Sequence, residues 1–232
     1  FAIRLPRHYL LWIKTISMFQ ILPFFTMEEA AAKIKRITVT VGLMLFLFQP
    51  GFAQTTESAK YEIIVLGMKI GTMVAQKVNH SDSLLYRVDS QVKFWFFGNV
   101  ELKFNTRAHF LSGKLVKARS DSKTNRGDFS SKIDWKGTYY AVDAASYEYE
   151  NAKPLKGPLA WSSTKMFFHE PTDRDVFLSE VYGVTGPIKK IGLGAYEITV
   201  DGNTNRYYYV GGKLEKIVLE NAIKNYQVRL IK

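Results

Sequence analysis

The chain contains no cysteine. That absence excludes a disulfide framework, thiolate chemistry, cysteine-ligated zinc and a lipid-modified N-terminal cysteine. It leaves the compartment open, while suiting an exported protein that needs no oxidative folding. Histidine is scarce too: His8, His80, His109 and His169 stand far apart. No zinc-protease helix, nucleophile elbow or P-loop string occurs. There is no basic block either. The 32 Lys and Arg exceed the 21 Asp and Glu, giving a net charge of +11, but they are scattered. A nucleic-acid surface would cluster them, so no nucleic-acid partner is expected. The same charge would serve peripheral contact with an anionic membrane.

What is present divides into an N-terminal region and a body. Lys33-Ile-Lys-Arg36 is a basic segment, and Ile37 to Phe48 is an apolar run of 12 residues. Gln49-Pro50-Gly51-Phe52-Ala53 follows, with small residues at −3 (Gly51) and −1 (Ala53) of a cut before Gln54. That order predicts a signal peptide over 27–53 and a periplasmic or extracellular product. The apolar run is too short to span a bilayer comfortably as an anchor. Residues 1–26 read as an upstream extension, because Met27 stands where a signal peptide would begin. Arg4, Arg7, Lys14, Lys33, Lys35 and Arg36, against Glu28 and Glu29, put part of the positive excess in this region.

Gln54 to Ala59 reads as a polar leader, and 60–232 as a single domain. The domain alternates short apolar-patterned runs with glycine turns. Tyr61–Leu66 and Ile70–Ala75 flank Gly67-Met68-Lys69 as a first hairpin, and Ser83 to Phe97 continues in strand period. Val100–Phe110 and Leu115–Ser122 flank Ser112-Gly113. Asp128–Trp135 and Thr138–Val142 flank Lys136-Gly137, and Tyr147–Glu150 extends the sheet. Gly186-Pro187 reads as a turn. Ala195–Val200, Arg206–Val210, Lys213–Glu220 and Ala222–Ile231 then give four more strands, with hairpin turns at Asp201-Gly202 and Gly211-Gly212. This predicts an all-β fold, an antiparallel meander forming a curved sheet or open barrel.

One stretch departs from that pattern. Trp161 to Gly183 mixes apolar anchors (Met166, Phe167, Phe168, Phe177, Leu178) with a proline-containing polar break and His169, Glu170, Asp173, Asp175 and Glu180. It is the expected short helical or irregular insertion, with the sheet curved over it.

Several short strings mimic sites. Asp201, Asn203 and Asn205 fit the first, third and fifth positions of a calcium loop, but Arg206 and Gly212 fail the sixth and twelfth. Arg126-Gly127-Asp128, Gly192-Leu193-Gly194 and Asn79-His80-Ser81 read as turns and an exposed loop. His169 beside Glu170 is the remaining candidate for proton transfer, or for a metal with Glu180. No nucleophile accompanies them, so no catalytic residue, metal or cofactor is assigned.

Tyr61-Glu-Ile-x4-Met68-Lys-Ile-Gly71, Phe168-His-Glu-Pro171, Ser179-Glu180-x2-Gly183 and Tyr207-x-Tyr209-x-Gly211-Gly-Lys-Leu214 together resemble a family of exported bacterial β-rich proteins of unknown function. The resemblance runs from about Lys60 to the C-terminus. It implies an envelope location and an open barrel around a short element, distantly similar to lipoprotein carriers. It transfers no catalytic residue.

The leading expectation is a non-catalytic protein binding a lipid or other amphiphile. Phe94, Trp95, Phe97, Trp135, Trp161, Phe167 and Phe168 would form the wall, with His169, Glu170 and Glu180 near the mouth. The alternatives are an envelope hydrolase or metal enzyme using His169, Glu170 and Glu180, and an assembly protein offering a sheet edge to a partner. Oligomeric state is not readable.

Overall fold

The computed structural model describes residues 54–94, 99–124, 127–146, 149–220 and 225–232, together with Lys35. Apart from Lys35, the expected extension and signal peptide lie outside the described residues, as do Trp95, Phe97, Arg126, Tyr147 and the side chain of Phe94. The strands all fall in the compact unit Phe52–Lys232.

The first seven strands are β1 (Thr55–Val65), β2 (Met68–His80), β3 (Ser83–Phe94), β4 (Val100–Leu111), β5 (Lys114–Thr124), β6 (Phe129–Trp135) and β7 (Tyr139–Ala145). Two short ones follow, β8 (Glu150–Asn151) and β9 (Leu155–Lys156), then a single 3-10 turn, Lys165–Phe167. The rest are β10 (Val176–Ser179), β11 (Val184–Gly192), β12 (Ala195–Val200), β13 (Asn203–Val210), β14 (Lys213–Leu219) and β15 (Tyr226–Leu230). They form one antiparallel meander running from β10 to β15, then β1 to β8, with β9 beside β7. The join between the two runs is β1 on β15, which pairs Tyr61 with Leu230 and Val65 with Tyr226. The end strands β8 and β10 do not pair, so the curved sheet stays unclosed.

Turn chemistry explains the hairpins. Leu66-Gly67, Ser112-Gly113 and Asp201-Gly202 each hold two successive residues at positive φ. Such primed turns follow the right-handed twist of the flanking strands. Two sequence expectations are corrected. Thr55–Ala59 is no leader but the first half of β1, paired with β2 as far as Asn79. Gly186-Pro187 is no turn but lies within β11. Proline is tolerated there because β11 changes partner at that point, pairing with β10 through Pro187 and with β12 from Ile188.

Alternation also explains where the core sits. One row across the sheet joins Ala59, Ala75, Val88, Thr106, Ser120, Ser131 and Ala144 in register. These inward residues are small, which leaves room for a segment inside the curve. Trp161, Met166 and Phe177 pack into one apolar cluster with Ala75 and Val88, while Leu178 packs into a second with Ala108, Ala118 and Ala144. The Trp161–Gly183 stretch thus fills the interior, as its apolar anchors require.

Candidate functional site

The segment enters the interior through a narrow passage. Gly157 passes between Trp135 and Tyr140, where an added Cβ would lie 2.5 Å from each ring. The Tyr140 hydroxyl donates to the Leu115 carbonyl (2.8 Å) and accepts from the Leu159 N–H (2.9 Å). Trp161–Ser163 then runs parallel to β10, with Leu178 N–H donating to Trp161 O (3.1 Å) and Ser163 N–H to Leu178 O (3.0 Å). The outer edge of β10 is therefore occupied by the chain itself.

Glu180 fixes the next step. It is fully buried and sits at the start of the 3-10 turn. Its carboxylate accepts from Thr164 N–H (3.1 Å) and hydroxyl (2.6 Å), from Ser163 N–H (3.1 Å) and from the Ser163 hydroxyl. This caps the Thr164 N–H at the start of the turn and shares the Ser163 N–H with the Leu178 carbonyl. Beyond it, Tyr209 donates to Met166 O (2.8 Å), Tyr196 to the Glu170 carboxylate (2.8 Å), and Tyr86 bonds His169 Nε2 (3.0 Å). Burial raises all three phenols, with Tyr86 and Tyr196 pushed up to about 12, so they stay protonated.

These staples present a group of cations around one indole. Lys165 Nζ lies 4.7 Å from the Trp161 ring centroid and 4.9 Å from that of Phe110. Arg174 Cζ is 5.6 Å from the Trp161 centroid, and the His169 ring 6.3 Å. Both cations can gain from the indole face. Among the described residues Lys165 otherwise donates only to the Ala160 carbonyl, at 2.8 Å. Among the described residues neither Lys165 nor Arg174 forms an ion pair. Burial, then Arg174 and Lys77, push the Lys165 ammonium down to about 8. Burial, then Lys77 and Lys165, lower His169. Trp161 is 8% exposed, and its indole N–H is buried with no acceptor among the described residues. Lys77 pairs with Glu57 at 3.4 Å, and the two line a cleft of about 250 Å³ with Thr55, Thr56 and Asn79.

The expected site residues divide accordingly. Trp161, Phe168 and His169 come together near Tyr86, whose ring is 5.9 Å from each of Phe168 and His169. Phe167 and Phe168 do not line a hollow: they pack on the core, Phe167 edge-on to Tyr61 at 5.5 Å. Trp135 packs at a tilt against Tyr140, ring centroids 4.7 Å apart, at the entry passage. Glu170 faces Tyr196. Glu180 is not at a mouth, since burial and four donors take up its carboxylate. Among the described residues no group of three His, Asp or Glu is placed to hold a metal. Lys77, Lys165, Arg174 and Tyr86 were missed. A lysine inside the apolar string Trp161-Ser-Ser-Thr-Lys-Met-Phe-Phe168, and another two residues after Ala75 on an inward face, were signals that could have found them.

A second depression, of about 470 Å³, opens on β2–β5 and includes Thr72, Val74, Asp89, Lys103 and Asp121. It carries both charge signs and none of the expected residues.

No curated protein matches the chain by sequence. Among solved structures it is similar to a beta-barrel-like protein of domain of unknown function DUF1849 from Brucella abortus. Identity is 12% and the TM-score 0.48, over 75% of this chain and 95% of that one. The family model described as Domain of unknown function (DUF6134) matches residues 61–231, the whole meander from the buried part of β1 to the end of β15, and the chain belongs to that family.

Proposed function

We propose that the protein is an exported, non-catalytic carrier or receptor for an amphiphile whose anionic head is held by Lys165, Arg174 and Lys77 around Trp161. The observation that carries this reading is the ammonium of Lys165, set between two aromatic rings with a carbonyl as its one hydrogen-bond acceptor among the described residues. A partly desolvated cation without a counter-charge is unfavourable unless something anionic completes it. The buried indole N–H of Trp161, without an acceptor among the described residues, adds a donor of the same polarity. Because the interior is packed, the apolar part of the ligand would lie along the rim rather than inside the curve. Each buried methylene would contribute about 0.8 kcal/mol. Export rests on the basic and apolar segments ahead of Gln54.

The test is native mass spectrometry of the protein purified gently from cell envelope. A discrete lipid-range adduct that leaves on denaturation, and is lost in Lys165→Met and Arg174→Gln, is the expected result. A bare mass that stays bare after incubation with envelope lipid extract would sink the proposal.

A further inference from the structure

The hairpin tips at one end of the sheet carry a second feature. Turns of an antiparallel meander alternate between ends, so the tips at Asp82, Ser112-Gly113, Gly192–Gly194 and Gly211-Gly212 share an end. Leu66-Gly67 and Asp201-Gly202 lie at the other. Ser112 N–H donates to Asp82 O (3.0 Å) and Tyr209 N–H to Gly194 O (2.7 Å), tying neighbouring tips of the first set together. On the second of these ties Leu193 is 100% exposed, Val210 67% and Ile191 42%.

Nothing in the fold needs these side chains outside. The β11–β12 tip is held firmly: Gly194 has φ +62°, and a Cβ there would come 2.4 Å from the Tyr209 carbonyl oxygen. The clamp keeps the tip against β13, while Leu193 itself stays wholly in solvent. Exposed Lys189 and Lys190 precede Ile191, and exposed Lys213 follows the Gly211-Gly212 tip. Among the described residues none of the three forms an ion pair. Apolar tips flanked by free lysines complement a surface that is anionic outside and apolar just beneath.

We infer that this end of the sheet docks on an anionic lipid bilayer, with Ile191, Leu193 and Val210 entering the interface and Lys189, Lys190 and Lys213 meeting headgroups. Docking uses neither Trp161 nor the cations around it, so it stands apart from the ligand reading above.

The experiment is co-sedimentation of the full chain with phosphatidylcholine vesicles, with and without phosphatidylglycerol. Four proteins are compared: wild type, Leu193→Ser with Val210→Ser, Lys189→Gln with Lys190→Gln, and Leu66→Ser. Leu66 is 63% exposed at the opposite end and serves as the control. All four share the same residues upstream of Gln54, so differences between them read the tips. The wild type should bind the anionic vesicles, and the apolar pair should weaken that binding about tenfold or more. Each lysine removed should weaken it about fivefold at low salt. Leu66→Ser should change nothing. Equal binding by all four would overturn the inference, as would equal wild-type binding to neutral and anionic vesicles. A dimer in solution that disappears in the apolar pair, without vesicle binding, would assign the tips to a second copy and also overturn it.

Discussion

Replacing Glu180 by Gln tests the account of the interior most directly. The change keeps shape and volume, so no cavity contributes. One oxygen survives as an acceptor, for either the Thr164 or the Ser163 pair of donors. The other becomes an amide NH₂ facing an N–H, which cannot accept from it, and a hydroxyl, which must stop donating to do so. Two charge-assisted hydrogen bonds to the carboxylate vanish, although the Ser163 N–H keeps the Leu178 carbonyl as an acceptor. At about 1.5–3 kcal/mol for each such bond, the loss should be about 3–6 kcal/mol. For a domain of roughly 180 residues that corresponds to a Tm lower by about 6–24 °C. Urea unfolding followed by intrinsic fluorescence gives the free energy, and a Thr164→Val cycle gives the coupling. The double variant should fall well short of the sum of the single changes. A Glu180→Gln protein within about 1 kcal/mol of wild type would refute the capping role, since surface substitutions cost no more.

Two further outcomes follow from the same segment. Lys165 titrates at about 8 in the folded chain against an ordinary 10.5, so between those values the unfolded chain binds more protons and wild-type stability rises with pH. Below about 8 the penalty is fully present, so Lys165→Met should be more stable than wild type at pH 7, with the gap closing by pH 10. Urea midpoints for the two proteins at both pH values check this, and a gap that does not move with pH would contradict it. Gly157→Ala should lower the urea midpoint by the equivalent of about 1–3 kcal/mol, because its Cβ would overlap the Trp135 and Tyr140 rings. An unchanged midpoint would mean the passage is looser than the distances imply.

Much of the sheet was legible because its signals are local. Period-two alternation and glycine at tips such as Ser112-Gly113 and Asp201-Gly202 depend on neighbours in the chain, and β12 runs over the residues expected of it. β10 and β11 were harder to see. Val176–Ser179 is four residues long, and Gly186-Pro187 carries turn chemistry in a place where a change of partner makes it harmless. The site was legible in part. The stretch Trp161–Gly183 stood out as irregular, and Trp161 and His169 do meet there. Glu180 was misplaced because sequence shows a carboxylate's charge but not the Ser163 and Thr164 donors that fold back onto it. Phe167 and Phe168 were read as a cavity wall because aromatic content alone does not distinguish a lined hollow from a filled one.

The inserted segment does two jobs whose demands conflict. β8 and β10 never pair, so the meander alone leaves a seam. Asn151 bridges part of it by donating to the Tyr182 and Gly183 carbonyls, each at 3.0 Å, and Tyr149 donates to Tyr182 at 2.7 Å. The rest is covered by Trp161–Ser163 on the outer edge of β10 and by Trp161, Met166, Phe177 and Leu178 underneath. A segment with only that task would be best made wholly apolar, since packing carries no desolvation cost. Instead it places Lys165 between Phe110 and Trp161, where burial already drives its proton off more easily. A methionine would fill the same space without that penalty. The lysine is therefore the residue in the segment that packing does not explain, and a negatively charged group arriving beside it is the simplest way for its cost to be offset.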